Sequence, residues 1–393
     1  MTANGDGREP SPLELTRADL ESHPHAILAR LRASRPVARV PALGGWLVTR
    51  RDLALQVVRN PGTFTVQDPR FSTGRVVGPS MLTLDGEAHA RHRAPFAGPF
   101  RLAAVRERFS GVVAAEVERR LAALVPAGTA DMSAAYAAPI AAAVVTHALG
   151  LGDTDTAAVI GWYRAIVAAT TGVAAGEPVS AEGRGAVAAL RAAVEPAFAR
   201  APGTSLLAAA AAGTGLSRDE VASNAAVVLF GGIETTEGMI ANALWHLLSH
   251  PDQLEAVRRD PLLVAGAVEE SLRLEPAAAM VDRYATRDIA LGGAAIAAGD
   301  LVSVSVSAAN RDPAAFADPD RFDVRRDNAR RHVAFAAGPH VCIGMHLARL
   351  EARVAVGRAL DRLPGLRLDP GQPVAPRGLL FRKPPALRVV WDA

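Results

Sequence analysis

Apolar positions recur at three- and four-residue spacing over most of this chain, and the elements they predict are helices. One such pattern runs from Glu87 to about Leu124. An alanine-rich one covers 181–213, with breaks at Gly203 and Gly213, and a third spans Pro261 to Leu274. The most sharply punctuated helix opens at Ser217-Arg218-Asp219-Glu220, a capping box, and runs to His250, where Pro251 stops it. At ~1.5 Å per residue it is roughly 50 Å long, enough to cross a domain. A last amphipathic helix is predicted from Cys342 to about Leu363. Period-two alternation is rarer. Gly44 to Thr49 predicts a short strand, followed by a helix from Arg50 to about Arg59. Residues 289–296 and Val302, Val304 and Val306 alternate around Gly292-Gly293 and Gly299-Asp300, which predicts β-hairpins. Residues 1–25 read as a loose N-terminal lead and 60–80 as a long loop rich in Pro, Gly, Thr and Ser. No repeat and no charged or Ser/Gly-rich linker divides the rest. A single domain over 26–393 is expected, mainly α with a minor β region.

Composition narrows the setting. Half of the 393 residues are hydrophobic, yet no run of about eighteen apolar residues lacks a charge, so no membrane span is expected. The N-terminus has no apolar signal core. One cysteine makes no intrachain disulfide, which fits a reducing cytoplasm. A formal net charge of +3 gives no case for nucleic acid. Lys383 is the sole lysine among many arginines, which coding bias explains without any function.

That single cysteine, Cys342, is by default a small buried hydrophobe. Its surroundings argue otherwise. It lies in Phe335-Ala336-Ala337-Gly338-Pro339-His340-Val341-Cys342-Ile343-Gly344, where two glycines let backbone pass close to a flat ligand. The predicted helix places the sulfur at an N-terminus, where unpaired amides and the dipole favour thiolate. Such a sulfur suits a soft metal, and heme iron accepts a single protein thiolate. The long helix carries a second anomaly, Gly231-Gly232-Ile233-Glu234-Thr235, since adjacent glycines in a helix interior cost about 1 kcal/mol each. Either they allow close packing, with Glu234 facing solvent, or the helix unwinds to admit a small ligand. In the second case Glu234 and Thr235 make an acid–alcohol pair able to deliver protons. Glu270 and Arg273 stand three apart on one helix, and His89 and Arg93 four apart on another.

Taken together these segments resemble the cytochrome P-450 family. Phe335, Gly338, His340, Cys342 and Gly344 fall on its heme-binding signature, with Ala336 where the pattern has a glycine. Gly231, Gly232, Glu234 and Thr235 fall on its oxygen-binding helix motif, and Glu270-x-x-Arg273 on its structural ion pair. The resemblance implies the P-450 fold, with heme b between the long helix and the helix after Cys342. Cys342 would be the iron ligand; Thr235 would steady reduced oxygen and Glu234 relay protons. His89, Arg93, Arg283 and His340 would bind the heme propionates, because buried carboxylates need charged partners. Glu270 and Arg273 would tie their helix to the segment Asp318–Phe322. The activity implied is monooxygenation of an apolar small molecule, for which a natural-product scaffold fits, by a cytoplasmic monomer. Electrons would come from a ferredoxin and its NAD(P)H-dependent reductase, docking near Arg91, Arg330 and Arg331. Epoxidation, desaturation and oxidative coupling would use the same residues, and a heme-thiolate sensor without turnover is the rival class.

Overall fold

The computed structural model describes residues 14–152, 154–199, 205–211, 215–372 and 374–392. Its central element is the 32-residue helix Arg218–Ser249. Both halves of the capping box form: the Glu220 amide donates to Ser217 Oγ at 3.2 Å, and the Ser217 amide to the Glu220 carboxylate at 2.8 Å. Most of this helix is buried, as an element apolar on nearly every side must be. Ala138–Leu149, Val264–Leu274 and Met345–Arg362 pack on it, and their apolar faces form the main core. Pro251 takes the first position of the next helix, Pro251–Arg259.

The β structure is small. A five-stranded sheet runs in the order Val37–Val40, Gly45–Val48, Leu301–Ser305, Met280–Ala285, Phe64–Thr65. Its only parallel pairing joins Gly45–Val48 to Leu301–Ser305, with Leu47 opposite Ser303. The hairpin Ile289–Leu291 to Ala294–Ile296 turns through Gly292 and Gly293, both at positive φ, as the sequence predicts. The second predicted hairpin does not form. Gly299-Asp300 leads instead into a strand that pairs with Met280–Ala285.

Other expectations need correction. The lead is helical from Arg17: Thr16 caps Arg17–Ser22, and Leu15 and Leu20 are buried against the sheet side. The 60–80 loop holds the strand Phe64–Thr65 and the helix Ser72–Val77. The helix predicted over 87–124 is two, Gly86–Ala97 and Leu102–Leu124, split by a 3-10 turn at Gly98–Phe100 that contains Pro99. Ala181–Val194 is helical as expected, whereas the breaks at Gly203 and Gly213 lie outside the described residues. One described helix, Thr156–Ala174, is long and apolar enough to cross a membrane by length and composition. It contains Arg164 and packs on Ala181–Val194, Ser72–Val77 and Ala138–Leu149.

The Glu270–Arg273 pair anchors the fold around the site. Arg273 Nε and Nη2 each reach the Glu270 carboxylate at 2.7 Å, and both side chains are fully buried. The guanidinium also donates to the carbonyls of Asn310, Pro319 and Arg321, which ties the helix to the segment the sequence predicted. Arg326, not anticipated, completes the cluster by donating to Glu270 at 2.8 Å.

Candidate active site

A cavity of ≈ 320 Å³ opens between the long helix and the loop before Met345–Arg362. Cys342, Arg93, Arg283, His340, Gly231 and Thr235 all line it; His89 and Glu234 do not, though the His89 ring lies 4.4 Å from that of the lining His340.

Cys342 is open to this cavity while protein surrounds it on every other side. The helix begins at Met345, three residues later than the sequence suggested, with Gly344 at its cap. The amides of Gly344 and Met345 still point at the sulfur and favour thiolate, as do the charges of Arg93 and Arg349. Burial outweighs them and pushes the free thiol up, so a bound metal would be what strips its proton. Among the described residues no three His, Cys, Asp or Glu side chains converge as a metal site. A metal held by this sulfur therefore needs a prosthetic group for its other ligands.

The loop shape is set by two left-handed residues. Gly338 has φ +75, and a Cβ there would lie 2.9 Å from Arg59 Cα. Ala336 has φ +56 and keeps the loop in a conformation that costs an L-residue roughly 1–2 kcal/mol. The alanine thus preserves the turn at the expense of strain.

The four residues expected at the propionates differ in the partners they already have. His89 is buried, its Nε2 has no hydrogen-bond partner among the described residues, and burial, then the charges of His340 and Arg93, push its pKa down to about 4. An unpaired buried ring nitrogen of this kind calls for a ligand. Arg93 donates to the Val341 carbonyl at 2.7 Å, and Arg283 to the Asp282 carbonyl at 2.7 Å; neither forms an ion pair among the described residues. His340 differs. Its Nε2 already meets Asp85 at 2.7 Å, a partner sequence reasoning gave no role. Burial would raise Asp85, but hydrogen bonds from His340, Thr65 and the Val66 amide hold it at about 2.

Across the cavity the long helix stays helical through 231–236, so the expected unwinding is absent. The two glycines divide the alternatives. A Cβ on Gly232 would sit 2.6 Å from Val145 Cγ2, which is close packing, while one on Gly231 would meet nothing within 4 Å and would face the cavity. The Thr235 hydroxyl donates back to the Gly231 carbonyl at 2.5 Å, a bond that loosens helices locally. Glu234 points the other way, and not to solvent. Its Oε1 lies 2.9 Å from Lys383 Nζ, which is also 2.9 Å from Glu237 Oε2; the Tyr163 hydroxyl donates to Glu237 at 2.7 Å. Burial raises the Glu234 pKa, and Lys383 pulls it back down. The lone lysine therefore has a structural place that composition concealed. Glu351 is a further surprise: it is buried, borders the cavity, and its Oε2 has no partner among the described residues.

The comparisons agree with this geometry. A family model described as Cytochrome P450 matches residues 200–376. The chain is 37% identical to the cytochrome P450 monooxygenase PikC of Streptomyces venezuelae, over 99% of this chain and 97% of that protein. The chain belongs to the cytochrome P450 family. It is also 34% identical to the nocardicin C N-oxygenase of Nocardia uniformis subsp. tsuyamanensis, over 96% of this chain and all of that one. Among solved structures, CalO2 superposes with a TM-score of 0.84 at 32% identity, covering 95% of this chain and 97% of that one. As a P450 monooxygenase the chain is an oxidoreductase whose family carries heme iron, and the cavity region offers groups that fit it: the Cys342 thiol, the buried His89 ring behind His340, and two arginines that form no ion pair among the described residues.

Proposed function

We infer that this P450 binds heme b through Cys342 and inserts one oxygen atom into an apolar small molecule, a natural-product scaffold being the class its relatives favour. The observation that carries the reading is that the one cysteine opens onto the same cavity as Thr235, Gly231 and the unpaired cations Arg93 and Arg283. His89, Arg93 and Arg283 would hold the propionates, and His340 would contribute through the ring nitrogen that Asp85 does not occupy. Heme, when bound, supplies oxygen activation and electron transfer. The chain supplies the rest. Phe71, Leu82, Phe230, Val281 and Phe381 line the chamber with apolar surface that excludes water. Thr235 Oγ1 presents a hydroxyl at the cavity wall. Glu234, whose pKa burial raises and Lys383 lowers, would relay a proton one residue away, and Lys383, partly exposed, links that carboxyl to solvent.

Electrons would arrive from a ferredoxin served by an NAD(P)H-dependent reductase. Arg330 and Arg331 are exposed, and Arg106, Arg330, Arg349 and Arg353 gather around the single acid Glu269, which pairs with Arg349 at 2.7 Å and lies 4.0 Å from Arg330. This cluster suits an acidic protein. Arg91, expected among them, is bound instead by Glu220 at 2.5 Å, so its charge is already answered.

Substrate-dependent NADPH consumption with a surrogate ferredoxin and reductase tests the reading. Product should form in proportion to NADPH in the wild type, and Thr235→Ala should retain heme while diverting electrons to peroxide. Tight coupling in Thr235→Ala would remove Thr235 from its role. Normal heme content with no substrate-stimulated turnover would favour the sensor.

A further inference from the structure

Asp85 stands at the N-cap of the helix Gly86–Ala97, where an aspartate ordinarily accepts a hydrogen bond from an amide of the first turn. Among the described residues it accepts none there. Both carboxylate oxygens are turned to other elements instead. Oδ2 accepts the Thr65 hydroxyl at 2.5 Å and the Val66 amide at 3.0 Å, and Oδ1 meets His340 Nε2 at 2.7 Å. These bonds overcome burial and keep the acid ionised, with a pKa of about 2.

Each contact leads to a different part of the site expected to hold the propionates. The helix that Asp85 opens carries His89 and Arg93. His340, in the cysteine loop, lines the cavity with its ring 4.4 Å from that of His89. Thr65 pairs with Tyr284 in the strand Met280–Ala285, next to Arg283. One side chain therefore joins the three elements that bear all four residues. Its charge also supports the cationic forms of Arg283 and His89 against burial. Asp85 is not among the residues that line the cavity, so its part is to hold those that do.

Only a carboxylate suits this place. A hydroxyl, an amide and a ring N–H all donate to it, and its two oxygens only accept. An asparagine has one accepting oxygen, so its NH2 group must face either the His340 ring or the Thr65–Val66 pair. Two effects then oppose each other. Loss of the negative charge repels an anion in the cavity less, while the His340 ring loses the charge-assisted bond that aims it. The second is a direct contact and the first acts from outside the lining, so the loss of aim prevails.

We propose that Asp85 is a positioning residue of the propionate pocket, fixing His340 against the elements of His89, Arg93 and Arg283 so that the pocket is shaped before the cofactor enters. The assignment rests on the reading that heme fills this cavity, and it concerns retention of the cofactor rather than oxygen chemistry.

The experiment uses holoenzyme whose reduced, CO-bound spectrum has already shown the thiolate, so a failure of the heme assignment is seen separately. Wild type, Asp85→Asn and Thr65→Val are each loaded with iron protoporphyrin IX or with its dimethyl ester, which keeps the ring and lacks the carboxylates. Loss of each cofactor to excess apomyoglobin is followed by absorbance. Asp85→Asn should release the diacid about tenfold faster than wild type, the low end of what a hydrogen bond to a charged group is worth, and the diester at the wild-type rate. Thr65→Val keeps the carboxylate but removes one of its donors, and should release the diacid about threefold faster, again with no change for the diester. It carries the test alone where Asp85→Asn fails to load. Equal acceleration of diacid and diester would reduce Asp85 to a general structural part, and diacid release that is unchanged or slower would show that the carboxylate does not aim the ring. Either result overturns the proposal.

Discussion

Replacing Lys383 with methionine removes the only ammonium from a pocket holding two carboxylates, at closely similar volume. Nζ lies 2.9 Å from both Glu234 and Glu237, whose side chains are 8% and 7% exposed. Without the lysine the pocket must either strand buried charge or keep a carboxyl protonated. The sign follows from Glu234, whose pKa burial already raises from its ordinary 4.5 and the lysine opposes. Losing the lysine raises it further. A carboxyl that holds its proton more tightly folded than unfolded favours the native state below its ordinary value. That contribution is lost as pH climbs through the folded pKa. Keeping one carboxyl neutral costs about 1.4 kcal/mol per pH unit above that value, hence about 2 kcal/mol at pH 6 and about 5 at pH 8. Stranding the charge instead costs about 3–5 kcal/mol, which caps the penalty. Lys383 is itself partly exposed, so solvent screening lowers both figures. Expected losses are about 1–2 kcal/mol at pH 6 and about 3 at pH 8. Urea unfolding of holoenzyme, followed by far-UV circular dichroism and heme absorbance at both pH values, measures this. An equal loss at pH 6 and pH 8, or one below about 0.5 kcal/mol at both, would refute the reasoning.

Three further outcomes are expected. Gly232→Ala places a methyl against Val145 and should cost about 1–3 kcal/mol despite a helix-propensity gain of about 1, read as a lower melting temperature. Ala336→Gly relieves the left-handed alanine and should stabilise by up to about 1 kcal/mol, less the added freedom of the unfolded chain; a loss would mean the methyl is packed usefully. Arg273→Met leaves Glu270 and the Arg321 carbonyl with Arg326 but deprives the Asn310 and Pro319 carbonyls of their donor. It should cost about 3–5 kcal/mol, and purified protein should carry less heme per chain.

Local signals were legible where one residue type forces one outcome. Ser217 and Glu220 set the start of the long helix, Pro251 its end, and Gly292-Gly293 a hairpin. That the cysteine loop and the Gly231–Thr235 segment share a cavity was implied by the family resemblance and not by the residues of either segment alone. What stayed hidden was long-range pairing. Asp85 meets His340 across 255 positions, and Lys383 reaches Glu234 from the C-terminal segment; no spacing rule encodes either contact. The strand Leu301–Ser305 alternated correctly yet chose Met280–Ala285 as partner, because alternation defines a strand and not its neighbour. Backbone detail was hidden too. Whether Gly231-Gly232 meant packing or an unwound helix depended on Val145, on another helix: Gly232 packs against it, and the helix does not unwind at Gly231, which faces the cavity.

The account stands on the bond from the Cys342 sulfur to heme iron. The CO-bound spectrum of the reduced holoprotein measures it most directly. The wild type should give the red-shifted Soret band of a thiolate ligand, and Cys342→Ser should lose that band. A wild-type band typical of nitrogen ligation, or a thiolate band that survives in Cys342→Ser, would contradict it.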